Sequence, residues 1–188
     1  MFAQIGQLLI DTVAGLLVFL LLARFHFQWL RVSFRNPVGT FVIAFTNWIV
    51  MPLRRVLPSL AGLDTASLVA AWLLQGVALW LGLALIGRDP ASADGFAVLA
   101  GLAAIDLVRY SLYFLIFGLI VQAVLSWVNP YSPIQPMFDA LTRPFLRPIR
   151  RILPPVANID LSPLVLIVLL QVVMIVLAYA RHAVSLLA

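Results

Sequence analysis

Four long apolar runs organise the chain, near residues 6–28, 65–86, 107–128 and 162–181. Each supplies the roughly 20 residues that a helix needs to cross the hydrocarbon of a bilayer. Between the first and second runs the pattern changes. Val38, Phe41, Val42, Phe45 and Ile49 recur at helical spacing with Thr40 and Asn47 turned elsewhere. Between the third and fourth, Ile134, Met137, Phe138, Leu141 and Phe145 do the same, opposite Gln135, Asp139, Thr142 and Arg143. At about a dozen residues neither segment spans. Each predicts a short amphipathic helix in the membrane interface, with Trp48 and the arginines at headgroup level and Pro52 and Pro148 as its end. Residues 94–106 either lengthen the third span beyond bilayer thickness or form a short helix on the surface; the surface or tilted reading is preferred.

Composition places the chain in a membrane. Of 188 residues 64% are hydrophobic and 10% charged, with a mean hydropathy of +1.10, whereas a soluble domain carries roughly 25% charged residues. Lipid needs no polar cover and water does. The charges are twelve Arg with no Lys and seven Asp with no Glu. The absence of Cys excludes disulfides and thiolate chemistry. The first residues lack the basic start and small-residue cleavage site of a secretory signal, so they are read as a retained helix. The pI near 10.7 raises nucleic acid as a partner, but loop arginines in so apolar a chain are more commonly topology signals, and no direct nucleic-acid contact is expected.

Arginine positions set the expected orientation. Arg31, Arg35, Arg54 and Arg55 follow the first run, Arg143, Arg147, Arg150 and Arg151 follow the third, and the central loop has Arg88 against Asp89 and Asp94. The two arginine-rich loops are expected in the cytoplasm and both termini outside, with Arg181 dissenting.

The chain also repeats itself. "PLRRVLPSLAGLD", residues 52–64, returns as "PIRRILPPVANID", residues 148–160. At an offset of 96, Pro37 meets Pro133, Thr46 meets Thr142, Arg54 and Arg55 meet Arg150 and Arg151, Pro58 meets Pro154, Asp64 meets Asp160 and Gln75 meets Gln171; upstream, at an offset of 98, Trp29 meets Trp127 and Asp11 meets Arg109. Each copy is one hairpin, with residues 1–92 forming the first and 93–188 the second. An even number of spans per copy makes them parallel, related by an axis along the membrane normal. The fold class is therefore all-α: about four transmembrane helices as two tandem parallel hairpins, each with a short interfacial helix before an Arg-Arg loop.

The repeated P-[LI]-R-R-[VI]-L-P motif, with an Asp six residues after its last Pro and an "NP" or "SP" turn after a Trp before it, resembles the YggT family of bacterial integral membrane proteins, also called YlmG. The resemblance covers nearly the whole chain. It implies a multi-pass protein of the bacterial inner membrane, linked to extracytoplasmic or osmotic stress and in some lineages to division-gene neighbourhoods, with plastid relatives linked to cytochrome b assembly and nucleoid distribution. The second copy departs from the first where Asp64-Thr65-Ala66-Ser67 becomes Asp160-Leu161-Ser162-Pro163.

Two residue sets are candidates for function. Prolines flanking Arg54, Arg55, Arg150 and Arg151 are expected to hold the backbone extended and the guanidinium groups splayed toward phosphates or carboxylates. The blander reading is that they set topology among anionic lipid headgroups. Asp64 and Asp160 are expected to cap the helices they precede and to pair with their own arginines. Within the spans, Asp11 and Arg109 are expected at one depth and able to form an interhelical ion pair, with Gln7 and Asp106 one turn away and Gln75 and Gln171 near midplane. This set reads as helix glue or as a polar path. His26 and His182 belong to opposite ends of the bundle and cannot share a haem, and both are read as interfacial. No catalytic set, metal cluster or nucleotide loop is found, so a non-enzyme without cofactor is expected. The expected partners are the bilayer with its anionic headgroups, a membrane protein, or a second copy of the chain.

Overall fold

The computed structural model describes residues 2–57, 59, 62–87, 93–129, 131–153 and 160–186, with backbone alone for Ala93, Asp94 and Trp127. Pro58, Pro154, Arg88 and Asp89 lie outside them, as does the side chain of Asp94. Among the described residues six helices follow one another: α1 Phe2–Trp29, α2 Pro37–Arg54, α3 Thr65–Leu85, α4 Ala93–Val128, α5 Gln135–Ile152 and α6 Ser162–Ser185. No strand occurs among the described residues. Phe2–Trp29, Thr65–Leu85, Gly95–Ser126 and Ser162–Ser185 are long and apolar enough to cross a membrane. The chain is an all-helical membrane protein.

Each junction has a local cause. Arg31 adopts φ of 54°, and the Val32 and Arg31 amides donate to the carbonyls of Phe27 (2.8 Å) and Gln28 (3.2 Å). This left-handed closing turn satisfies the last carbonyls of α1 and buries Val32 beside Phe27. Five residues on, Asn36 caps α2 by accepting from the Gly39 amide at 2.7 Å, with Pro37 in the first turn, where its missing N–H costs nothing. Gly39 has to be glycine, because a Cβ would lie 2.6 Å from the Phe34 carbonyl oxygen.

Two expectations are corrected here. Pro52 and Pro148 do not end the interfacial helices: α2 and α5 run on to Arg54 and Ile152 at 18 residues each. Pro52 lies in the last turn, which closes with short bonds from Arg55 to Pro52 (3.2 Å) and from Val56 to Leu53 (3.0 Å). Pro144 and Pro148 sit on the exposed side of α5, where the carbonyls that they leave unbonded are open to polar surroundings. The Arg-Arg motif is therefore the end of a helix and not an extended loop, and its charge complements the carbonyl end of the dipole. The second correction concerns residues 94–106, which form no separate surface helix but continue into the 36-residue α4. The stretch contains no proline, and its Gly95 and Gly101 each cost only about 1 kcal/mol in a helix.

Packing follows the duplication. α1 packs on α3 and α2, and α4 on α6 and α5, while α1 and α4 meet at the centre. The same positions build both cores: Leu21, Val50, Ala70 and Leu74 in the first copy, and Leu119, Leu146, Leu166 and Leu170 in the second. A third cluster joins the copies, placing Phe27, Val42 and Leu20 against Phe114, Phe138 and Leu141. The symmetry is incomplete. α3 also packs on α4, whereas the main partners of α6 are α4 and α5, and α6 leaves Val168, Val172, Ile175, Val176 and Tyr179 exposed.

Candidate functional site

In the first copy the end of α2, the start of α3 and the last turns of α1 converge on a buried polar knot. Asp64 is 1% exposed and receives Arg54 at 2.8 Å and Arg24 at 3.4 Å. Its carboxylate also accepts from the Ser67 hydroxyl at 2.7 Å and from the Ser67 amide at 3.3 Å, capping α3. Arg24 donates to Thr46 (2.9 Å) and Asn47 (2.8 Å) of α2. Arg54 also donates to Gln28 at 3.1 Å. Burial alone would raise the Asp64 pKa, but the hydrogen bonds from Arg54 and Ser67 and the Arg54 charge outweigh it and hold the carboxyl below its usual range. All three helices of the first hairpin are tied to this one carboxylate, α1 through Arg24, α2 through Arg54 and α3 through Ser67.

The second copy lacks that closure. At the place of Arg24 stands Gln122, which donates to Asp139 and accepts from the Thr142 hydroxyl. Thr142 is thus buried with the core face of α5 and does not lie on the polar face expected for it. At the place of Ser67 stands Pro163, with no amide to offer. Asp160, 39% exposed, pairs with Arg150 at 2.8 Å and accepts from the Ser162 amide at 2.9 Å. Its pKa is also lowered: burial pushes it up, but the hydrogen bonds from Ser162 and Arg150 prevail. Where the first copy has Asn47 and Met51, the second has Arg143 and Arg147. Together with Pro144, Arg150 and Arg151 they line a cavity of about 540 Å³. Among the described residues Arg143, Arg147 and Arg151 have no carboxylate partner. Four guanidinium groups within little more than two helical turns repel one another, and an anion placed among them relieves that repulsion.

The intramembrane set forms a second polar region, running from the middle of the bundle toward the end remote from the knot. α3 is about 30 Å long at 1.5 Å per residue, which puts Gln75 at its middle. Gln75 donates to Asp106 at 3.0 Å, and Asp106, buried, pairs with Arg181 at 2.9 Å, tying α3, α4 and α6 together. Asp11 and Arg109 do not form the expected ion pair. Gln7, one turn earlier on α1, holds Asp11 at 3.0 and 3.1 Å, and Tyr113, one turn later on α4, accepts from Arg109 at 3.4 and 3.3 Å. Both charges nonetheless line one cavity with Gln75, Asp106 and Arg181. Gln171 does not repeat the role of Gln75 and lines an adjoining groove between α4 and α6. His26, in the last turn of α1, is buried against its neighbours: its Nδ1 lies 2.7 Å from the Leu22 carbonyl oxygen and its ring packs on Phe114. His182 lies in the last turn of α6. No group of three or more potential metal-ligating side chains occurs among the described residues.

Sequence reasoning missed Arg24 and Arg181 as ion-pair partners. The repeat itself carried a signal for Arg24, since the offset of 98 places Gln122, a second polar residue, at the same depth of an otherwise apolar span.

The CCB3/YggT family profile matches residues 3–85 and 101–180, one segment in each hairpin. A protein of Escherichia coli strain K12, "Uncharacterized protein YggT", is 36% identical over 167 residues, covering 88% of this chain and 85% of its own length. An uncharacterised Vibrio alginolyticus protein is 35% identical over 164 residues, covering 87% of this chain and 88% of its own. No solved structure matches the chain.

Proposed function

This chain belongs to the CCB3/YggT family, and on that premise we propose that it is a non-enzymatic interaction or assembly factor of the bacterial inner membrane. Its basic helix ends face the cytoplasm and dock an acidic stretch of a membrane-protein partner. This assigns it to membrane-complex biogenesis or to tolerance of osmotic and envelope stress. The observation that carries the reading is the inequality of the two arginine motifs. In the first copy Arg54 is consumed by Asp64, whereas α5 gathers Arg143, Arg147, Arg150 and Arg151 around one cavity, and among the described residues only Arg150 of these has a carboxylate partner. Three exposed guanidinium groups are well suited to carboxylates, and anionic lipid headgroups solvate them when no partner is present.

The test replaces those four arginines with Gln in the intact protein. Insertion and folding should persist, because only the half-exposed Arg150–Asp160 pair is lost, at about 0–1 kcal/mol. Partner recovery and stress tolerance should disappear, and retention of both contradicts the reading. A small oligomeric transporter of ions or solutes is the second reading, favoured by the charged cavity around Asp11 and Arg109. Four spans enclose little, so it requires self-association, and a strictly monomeric particle in mild detergent opposes it.

A further inference from the structure

We propose that the cavity shared by α1, α3, α4 and α6 is a binding site for a small zwitterion, its ammonium at Asp11 and its carboxylate at Arg109. This stands apart from the docking reading and would give the transport reading its solute class.

Four charged side chains line the cavity: Asp11, Asp106, Arg109 and Arg181. Asp106 and Arg181 neutralise each other at 2.9 Å, and Gln75 fills a further place on the carboxylate. Asp11 and Arg109 remain. The amide nitrogen of Gln7 is shared between the two oxygens of Asp11, leaving each with lone-pair capacity. Arg109 gives Nε and Nη2 to a single hydroxyl, that of Tyr113, and lies 5.6 Å from the centre of its ring. Of five guanidinium N–H donors, three stay available. No arginine lies within ion-pair distance of Asp11, and no carboxylate within that distance of Arg109, among the described residues.

Isolated charges within a span are costly, and they default to partners or pathways. Here the two have opposite signs, face one cavity, and are held back from each other by neutral neighbours on their own helices. A monovalent ion would compensate one and leave the other. A molecule carrying both charges compensates both, with the fork of Arg109 suited to a carboxylate and Asp11 to an ammonium group. The volume of about 310 Å³ lies at the small end of ligand pockets. The groove of about 540 Å³ beside it shares Arg109, Tyr113 and Arg181 and reaches His182 and Ser185 at the end of α6, which supplies an entrance. Glycine sets the position of Gln7: a Cβ at Gly82 would meet its amide at 2.7 Å.

Calorimetry on the full chain in lipid nanodiscs tests this, with glycine, alanine and β-alanine as probes and acetate and methylammonium as single-charge controls. Saturable binding is expected for at least one zwitterion, about tenfold or more tighter than for either control (1.4 kcal/mol per tenfold). Asp11→Asn and Arg109→Gln should each weaken it about tenfold, while Trp48→Phe on α2, outside the lining of the cavity, leaves it unchanged. Absence of saturable zwitterion binding to the unsubstituted protein overturns the proposal. Binding of acetate or methylammonium as tight as that of the zwitterions overturns it too, and neither comparison depends on a variant that folds.

Discussion

Asp64 and Asp160 hold the same place in the two copies, but the first sits beneath two guanidinium groups with 1% of its side chain exposed and the second shares one with 39% exposed. Their removal should therefore differ. Asp64→Asn leaves Arg24, itself buried, without its counter-charge, a change that costs about 3–5 kcal/mol for buried pairs. Asp160→Asn should cost about 0–1 kcal/mol. Thermal unfolding of the two variants in one detergent checks the order, and equal losses would contradict it. Both carboxyls have lowered pKa values in the folded protein, so they add stability above the ordinary carboxylate value of about 3.9, and that stability is lost as pH falls through the folded value. Unfolding temperature should fall on acidification below about pH 4, with a shallower fall in Asp64→Asn. The pairing of each Asp with its own arginine was legible from the repeat. The burial of one pair was not, because it arises from Arg24 and Ser67 on Asp64, with Thr46 holding Arg24 in place, an arrangement that depends on how three helices meet.

At the scale of elements, periodicity and length were enough for the four spans and the two amphipathic segments between them. They were not enough for the ends of the latter, since a proline in the last turn or on an exposed face loses a hydrogen bond whose carbonyl is still solvated. They also left 94–106 open between a lengthened third span and a surface helix, and the apolar stretch joins the following span without a break. The cap of α2 offers a direct check. Gly39→Ala places a Cβ 2.6 Å from backbone that cannot move independently, so it should destabilise the protein by well over the few tenths of a kcal/mol typical of an exposed glycine change, by about 1–3 kcal/mol. Gly76→Ala in α3, where a Cβ meets nothing within 4 Å, should be neutral or stabilising by up to about 1 kcal/mol. Comparing the two variants by thermal unfolding separates the cap geometry from glycine's general flexibility.

For the whole molecule, duplication explains why so small a protein can bury its cores: each hairpin supplies the other with a face, and the joint is the aromatic cluster around Phe114 and Phe27. Once two copies exist they are free to differ. The first closes its polar end with Arg24, Asp64 and Ser67. The second trades those for Gln122, Asp160 and Pro163 and adds Arg143 and Arg147, so its polar end stays open. We propose that this open arginine face of α5 docks a protein. Photocrosslinking in living cells from a benzoylphenylalanine placed at Pro144, on the rim of the cavity, tests it most directly. Discrete protein adducts are expected, lost when Arg143, Arg147 and Arg151 become Gln and absent from the same probe at Trp48 on α2. Adducts to lipid alone, or protein adducts indifferent to those arginines, would contradict the account.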